Sequence, residues 1–319
     1  MAQAATRRTA KPSRTWLKVF WIGLALWAAT VAVTVITANT NLLPTIVLLG
    51  SFLVPITFAI WAYEHGTSGE ITVPLLFTAF VVGGVLGVLG ASLLETYLLH
   101  PSLWMYVGVG LIEEAVKLIA LMFVARHLRH RSLRDGLVLG ATVGFGFAAF
   151  ESSGYALNAL FTVNGLSIRS MVETEILRGL LTPLGHGLWT AILGGVLFAA
   201  SRGHHRLRIT GPVVLTYLGV ALLHALWDSM HGLAIAATLY LTGSPWQFRL
   251  LEHGYLPRAT GTQGHLITIL NAAGIIVISF IALAWLRTLY DRSEREAAPP
   301  PPVPHAHFPA EPPWRSEHR

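Results

Sequence analysis

Long apolar runs recur along almost the whole chain, and they constrain its fold more than any other feature. Each run holds about 20 residues, enough for a helix to cross the hydrocarbon core of a bilayer. About eight runs occur, at residues 16–38, 43–63, 72–98, 103–126, 136–162, 175–200, 211–240 and 264–289. Only 12% of the 319 residues are charged, whereas soluble domains carry about 25%. The sequence therefore predicts an all-α polytopic membrane protein with about eight transmembrane helices.

The runs and their connections divide the chain into segments. The first run is too long for a signal-peptide core and is expected to stay as an anchor. The tail at the other end is rich in proline and is expected to be disordered, because it has little apolar surface to bury. The predicted segments are a basic cytoplasmic tail (1–15), N-terminal transmembrane helices (16–102), a central core (103–240), an extracytoplasmic loop (241–263), a last transmembrane helix (264–290) and a proline-rich cytoplasmic tail (291–319).

Basic residues are concentrated in alternate connections, which predicts the orientation. Threading the runs puts most of them on one side: Arg7, Arg8, Lys11, Arg14, Arg126, Arg129, Arg131, Arg134, Arg202, Arg206, Arg208, Arg287, Arg292 and Arg295. The opposite loops hold little more than Arg169, Arg249 and Arg258. The positive-inside rule then puts both termini in the cytoplasm of a cell (plasma) membrane protein. Topology accounts for the net charge of +6, so no nucleic-acid partner is expected.

Ionisable side chains lie in the middle of four of these runs. Each would cost roughly 2.5–3.5 kcal/mol in a lone membrane helix, so a compensating arrangement is required. The groups are Glu113, Glu114 and Lys117 in the fourth run, Glu151 in the fifth, His186 in the sixth, and His224 and Asp228 in the seventh. Counted at 1.5 Å per residue from the outer end of each run, Glu113, Glu114, Glu151 and His186 lie at about 15 Å. Asp228 lies at about 18 Å and His224 at about 24 Å. Similar depths in successive helices predict one cluster.

Residue spacing supports this cluster. Glu113 and Lys117, like His224 and Asp228, are four positions apart and share a helical face. A stripe of Gly136, Gly140 and Gly144 is typical of close helix packing.

Other polar residues receive structural interpretations. Those near the ends of runs are expected to reach the membrane interface, and the loop histidines are expected to be solvated. The first group is Glu95, Glu173, Glu175 and Arg178, and the second is His204 and His205.

The clustered residue types permit several functions. Glu, His and Asp without any Cys suit a divalent metal such as zinc with a water in an open position, although no HExxH motif is present. A metal-free route is also open, in which the carboxylates activate water and a histidine stabilises the oxyanion. The same buried groups could instead serve a proton- or ion-coupled transporter, or belong to a non-catalytic membrane scaffold.

Four short motifs favour the first of these classes. EEAVK at 113–117, FAAFE at 147–151, a mid-helix His186 and HALWD at 224–228 resemble, in order, the motif series of the PrsW family. Members are intramembrane metalloproteases related to the CAAX-processing enzymes, and the resemblance covers about 103–240.

The resemblance implies a role for each matching residue and a class of substrate. Glu113 and Glu114 would be the catalytic pair, and Lys117 and Phe147 would support them. Four further residues would complete the site and hold a divalent metal, which is expected to be zinc. They are Glu151, His186, His224 and Asp228. The partner would be a membrane-anchored protein substrate in the lipid bilayer, such as an anti-sigma factor.

Overall fold

The protein is almost entirely helical in the computed structural model, which describes residues 14–66 and 70–297. The helices are α1 Thr15–Thr37, α2 Leu43–Gly66, α3 Val73–Val81, α4 Gly87–Leu98, α5 Met105–Ala125, α6 Leu133–Leu160, α7 Ile168–Leu181, α8 His186–Ala200, α9 Gly211–Thr242, α10 Pro245–Glu252 and α11 Gly261–Ala297. Two short strands, β1 Phe161–Thr162 and β2 Gly165–Leu166, form an antiparallel hairpin. The predicted all-α membrane fold is confirmed.

Seven helical segments of the described residues are long and apolar enough to cross a membrane. They are Thr15–Thr37, Thr40–His65, Val73–Leu98, Leu133–Leu160, Ile168–Ala200, Gly211–Thr242 and Gly261–Arg295. The remaining predicted run, 103–126, corresponds to α5, whose 21 residues include Glu113, Glu114 and Lys117. A membrane-crossing role for α5, and with it the count of eight, stays a prediction.

Two of the predicted runs are interrupted helices. A π-helical turn at Val82–Leu86 joins α3 to α4, and a 3-10 turn at Thr182–Leu184 separates α7 from α8. Pro183 has no N–H to continue α7, and Gly185 leaves the helical region with φ −104° and ψ −126°. The prediction of a mid-helix His186 is therefore wrong, because this residue is the first of α8.

The glycine stripe holds α8 against α6, and α6 is buried over most of its length. A Cβ atom on Gly136, Gly140 or Gly144 would collide with a backbone carbonyl oxygen of α8. Gly110 likewise allows α5 to approach α9 closely, because a Cβ atom there would collide with the carbonyl oxygen of Ala221 in α9. These close approaches bring α5, α6, α8 and α9 around one point, as the sequence predicts.

The segments outside this core differ in detail from the prediction. The predicted loop at 241–263 contains α10, which begins with a capping box formed by Ser244 and Gln247. Helix α11 runs seven residues into the tail predicted to be disordered, through Ala297. Most of both predicted tails, 1–13 and 298–319, lies outside the described residues.

Candidate active site

The four central helices bring every predicted site residue into one cluster. Helix α5 contributes Glu113, Glu114 and Lys117, and α6 contributes Phe147 and Glu151. Helix α8 contributes its first residue, His186, and α9 contributes His224 and Asp228. The rings of the two histidines lie edge to face, with their centroids 4.9 Å apart. The similar depths read from the sequence thus correspond to contacts in space.

Lys117 lies at the centre of the cluster and is completely buried. Its Nζ donates hydrogen bonds to Glu113 Oε2 at 3.1 Å, Glu114 Oε1 at 2.8 Å and His186 Nδ1 at 2.8 Å. The ammonium also lies 4.1 Å from the centroid of the Phe147 ring. One cation therefore offsets two buried carboxylates, which explains how α5 tolerates three charged residues in an apolar stretch.

Each histidine ring is held by carboxylates from more than one direction. His224 Nδ1 lies 3.1 Å from Glu114 Oε1, and its Nε2 lies 3.3 Å from Asp228 Oδ2. His186 Nε2 lies 3.0 Å from Glu151 Oε2. Carboxylates in these positions fix the orientation of an imidazole ring. The predicted His224–Asp228 pair is present, and α6 supplies the carboxylate that α8 lacks.

Arg178 belongs to the site although its sequence position suggested the membrane interface. Its Nη2 lies 2.5 Å from Glu151 Oε2, and its Nε donates to Ser152 Oγ at 2.8 Å. The interpretation as an interfacial residue is wrong because the helix begins at Ile168 rather than at 175, so Arg178 lies about 15 Å along it. The sequence could have revealed the place of Arg178 only through the start of its helix, and apolar runs define helix starts poorly.

A cavity of about 390 Å³ opens onto the cluster. Its walls carry four carboxylates and two phenols, from Glu95, Glu113, Glu151, Asp228, Tyr106 and Tyr155. Glu95, three residues before the end of α4, faces this cavity, and its expected place at the interface stays a prediction. Glu114 is not part of the wall and is completely buried. The two adjacent glutamates therefore differ: Glu113 faces the cavity and Glu114 lies behind it, holding Lys117 and His224.

Three side chains of the cluster could hold a metal ion. Glu113, His186 and His224 each offer a donor atom, and these atoms lie within 4.8 Å of one another. One carboxylate and two imidazoles form the ligand set of many zinc peptidases. Beside them, Glu114 Oε2 is buried and has no hydrogen-bond partner in the described residues. The donor set therefore fits a divalent cation.

This group differs from the four ligands expected from the sequence. The structure places Glu113 with the two histidines, while Glu151 and Asp228 contact the histidine rings from outside. Ligation by these two carboxylates stays a prediction.

Comparison with known proteins agrees with the motif series. The family model described as PrsW family intramembrane metalloprotease matches residues 72–250. Protease PrsW of Halalkalibacterium halodurans is 29% identical over 170 residues, which cover 53% of this chain and 73% of the relative. Protease PrsW of Geobacillus kaustophilus is 28% identical over 141 residues, 44% of this chain and 52% of the relative, so the chain spans about half of its length. No solved structure matches.

The match includes every residue of the cluster and extends over α3 to the end of α9 and most of α10, while α1, α2 and α11 fall outside it. It covers more than half of the 319 residues. This result also decides between the functional classes left open by the sequence. The chain belongs to the PrsW family of intramembrane metalloproteases and is a membrane-embedded peptidase.

Proposed function

We propose that the cluster is the catalytic centre and that it hydrolyses a peptide bond in a membrane-anchored regulatory protein, such as an anti-sigma factor. The observation that carries this proposal is the group formed by Glu113, His186 and His224, whose donor atoms lie within 4.8 Å of one another and of which Glu113 lines a cavity. Such a cavity with convergent polar groups is the usual form of an active site.

We assign the metal to this group. Glu113, His186 and His224 would hold a divalent ion, expected to be zinc. A bound zinc ion supplies a polarised water and a Lewis acid for the substrate carbonyl. The ammonium of Lys117 can donate hydrogen bonds but cannot accept them, so it donates to Nδ1 of His186. Ligation through that nitrogen requires Lys117 to give up this contact while it keeps the two glutamates.

The carboxylates around the cavity have different capacities to move a proton. Glu151 is engaged by both Arg178 and His186. Asp228 also faces the cavity, and its Oδ2 lies 3.3 Å from Nε2 of His224. We therefore assign to Asp228 the acceptance of a proton from the attacking water. In the metal-free alternative Glu113 takes that proton, and the two imidazoles stabilise the oxyanion.

The direction of substrate entry follows from the position of the cavity. Glu95 and Tyr106 flank the connection between α4 and α5, which the basic residues predict to be extracytoplasmic. We infer that the substrate reaches the site from that side of the plasma membrane. A reporter enzyme fused after Arg208 should lie in the cytoplasm, and an extracytoplasmic signal from this fusion would contradict the orientation.

Proteolysis in liposomes tests the proposal. The full chain is reconstituted with a single-span anti-sigma factor that carries a different tag on each side of the membrane. The wild type should release a fragment, lose this activity with a zinc chelator and regain it with added zinc. The matched control is Glu173→Gln, an exposed carboxylate of α7 that pairs with Arg169, and it should cleave normally. An intact reporter contradicts the substrate class, and cleavage that resists the chelator contradicts the metal.

A further inference from the structure

A second cavity, of about 630 Å³, lies at the opposite end of α5 from Tyr106. It is formed by the connection after α5 and the connection between α8 and α9. Six basic or imidazole side chains line it, Arg126, His127, Arg129, His130, His204 and His205. No carboxylate is among the lining residues. This cavity is distinct from the active site and nothing in the proposed reaction uses it.

Some arginines of the described residues have acidic partners, whereas those of this cavity have none. Arg169 pairs with Glu173 at 2.7 Å, and Arg287 pairs with Asp291 at 3.0 Å. By contrast, in the described part of the chain neither Arg126 nor Arg129 forms a side-chain ion pair with a carboxylate. The guanidinium of Arg126 stacks 3.9 Å from the centroid of the Phe123 ring.

The carboxylate of Glu70, which contacts the connection after α5, is already engaged. It accepts hydrogen bonds from the backbone N–H groups of Arg129 and His130 at 3.0 and 3.2 Å, and its other oxygen lies 3.7 Å from His130 Nε2. Two guanidinium groups at the cavity thus keep their capacity to bind an anion.

The two connections are held in a fixed arrangement by a buried arginine. Arg131 is 4% exposed and donates to the carbonyl oxygens of His204 at 2.7 Å and His205 at 3.4 Å. The N–H of Arg208 donates to Ser201 Oγ at 2.9 Å and closes the second connection. Membrane orientation requires only positive charge in these segments. It does not require them to fold around a cavity.

An apolar surface leads from the cavity along an exposed face of α5. Ile119 and Phe123 are 64% and 50% exposed, and with Arg126 they are spaced four and three residues apart on one face of the helix. Cationic groups at a helix end beside exposed apolar side chains match the two parts of a phospholipid. Basic pockets at the ends of transmembrane helices bind anionic headgroups in this way, and guanidinium groups suit phosphate oxygens.

We propose that this cavity binds the phosphate of an anionic phospholipid, with an acyl chain against Ile119 and Phe123. The headgroup would bridge the connection after α5 to the one after α8. Because α5 carries Glu113, Glu114 and Lys117, an occupied cavity would also fix the end of the active-site helix. The lipid should therefore raise the thermal stability of the protein.

Lipid titration of the purified full chain tests this proposal. Thermal unfolding and lipid retention, the latter by native mass spectrometry, are followed in an uncharged detergent with phosphatidylglycerol, phosphatidylcholine or inorganic phosphate. Phosphatidylglycerol should bind saturably and raise the unfolding temperature, while phosphatidylcholine should not. Retention of both lipids in equal amounts by the wild type would overturn the proposal, as would inorganic phosphate that stabilises the protein equally, because the ligand would then be a free anion.

The variant Arg126→Gln/Arg129→Gln should bind phosphatidylglycerol about tenfold more weakly or worse, because two charge-assisted hydrogen-bonding groups are lost. The matched control is Arg287→Gln/Arg292→Gln, which removes the same charge from α11 and should bind like the wild type. An unchanged affinity in the first variant, or an equal loss in both, would overturn the proposal. If the first variant does not fold, the comparison of the two lipids on the wild type still decides.

Discussion

Two regions of this protein bury carboxylates to a similar extent but surround them with different partners. In the active-site cluster, Glu113 and Glu114 share an ammonium and contact two imidazoles. At the contact of α1 with α7, Glu175 is 4% exposed and accepts one hydrogen bond, from Trp27 Nε1 at 2.9 Å. Its other oxygen has no hydrogen-bond partner in the described residues. Burial alone therefore does not identify a catalytic carboxylate, whereas convergence of charged and imidazole partners does.

The second region is a packing contact between the N-terminal helices and the core. Gly50 of α2 leaves room for the carboxyl group of Glu175, since a Cβ atom there would collide with it. The expectation that Glu175 reaches the membrane interface is wrong for the same reason as for Arg178, because α7 begins earlier than the apolar run suggested. The contact joins α1, which lies outside the family match, to α7, which lies inside it.

The largest expected difference between the two regions is in proteolysis. Glu113→Gln removes a proposed metal ligand and Glu114→Gln a carboxylate that holds Lys117 and His224, so each should lower the rate of cleavage by about 10²-fold. Glu175→Gln keeps the hydrogen bond to Trp27 available and should retain most activity. Cleavage rates of the three variants in liposomes, at equal membrane insertion, test this comparison. Equal losses in all three would mean that burial, and not the partner set, determines function.

Removing the central cation should have a large effect on stability. Lys117→Met leaves Glu113 and Glu114 buried without their ammonium, which should cost about 3–5 kcal/mol in the free energy of unfolding. Denaturant unfolding in mixed micelles measures this change. Lys18→Met, at an exposed position of α1, is the control and should leave the free energy of unfolding close to that of the wild type. A Lys117→Met protein as stable as the wild type would show that the two glutamates need no cation.

A smaller effect is expected at the α1–α7 contact. Trp27→Phe removes the hydrogen bond to a buried carboxylate and should destabilise the protein by about 1–3 kcal/mol, with cleavage largely retained. Trp21→Phe, which changes an exposed ring of the same helix, should be neutral in the same unfolding measurement. Loss of proteolysis in Trp27→Phe without loss of stability would place this contact in the catalytic machinery.

The sequence predicts much of this architecture because a bilayer imposes simple rules on composition. Apolar runs reveal the membrane helices, and charges inside them reveal the site, since each must be compensated. The stripe of Gly136, Gly140 and Gly144 likewise predicts the close approach of α8, because only small residues permit it.

Hydropathy says little about where a helix begins or how it is rotated about its axis. Because of the 3-10 turn at Thr182–Leu184 and the early start of α7, the surroundings of His186, Arg178 and Glu175 differ from those that the sequence predicted. The rotation of α5 decided that Glu113, and not Glu114, faces the cavity. These features depend on packing between helices that are distant in the sequence.

The metal content of the purified protein tests the central claim most directly. The wild type should contain about one zinc ion per chain, and His224→Ala should lose it. His186→Ala should keep part of it, because Nδ1 of His186 is already hydrogen-bonded to Lys117, while Glu175→Gln should keep all of it. A wild-type protein that cleaves its substrate without any bound divalent metal would contradict the account.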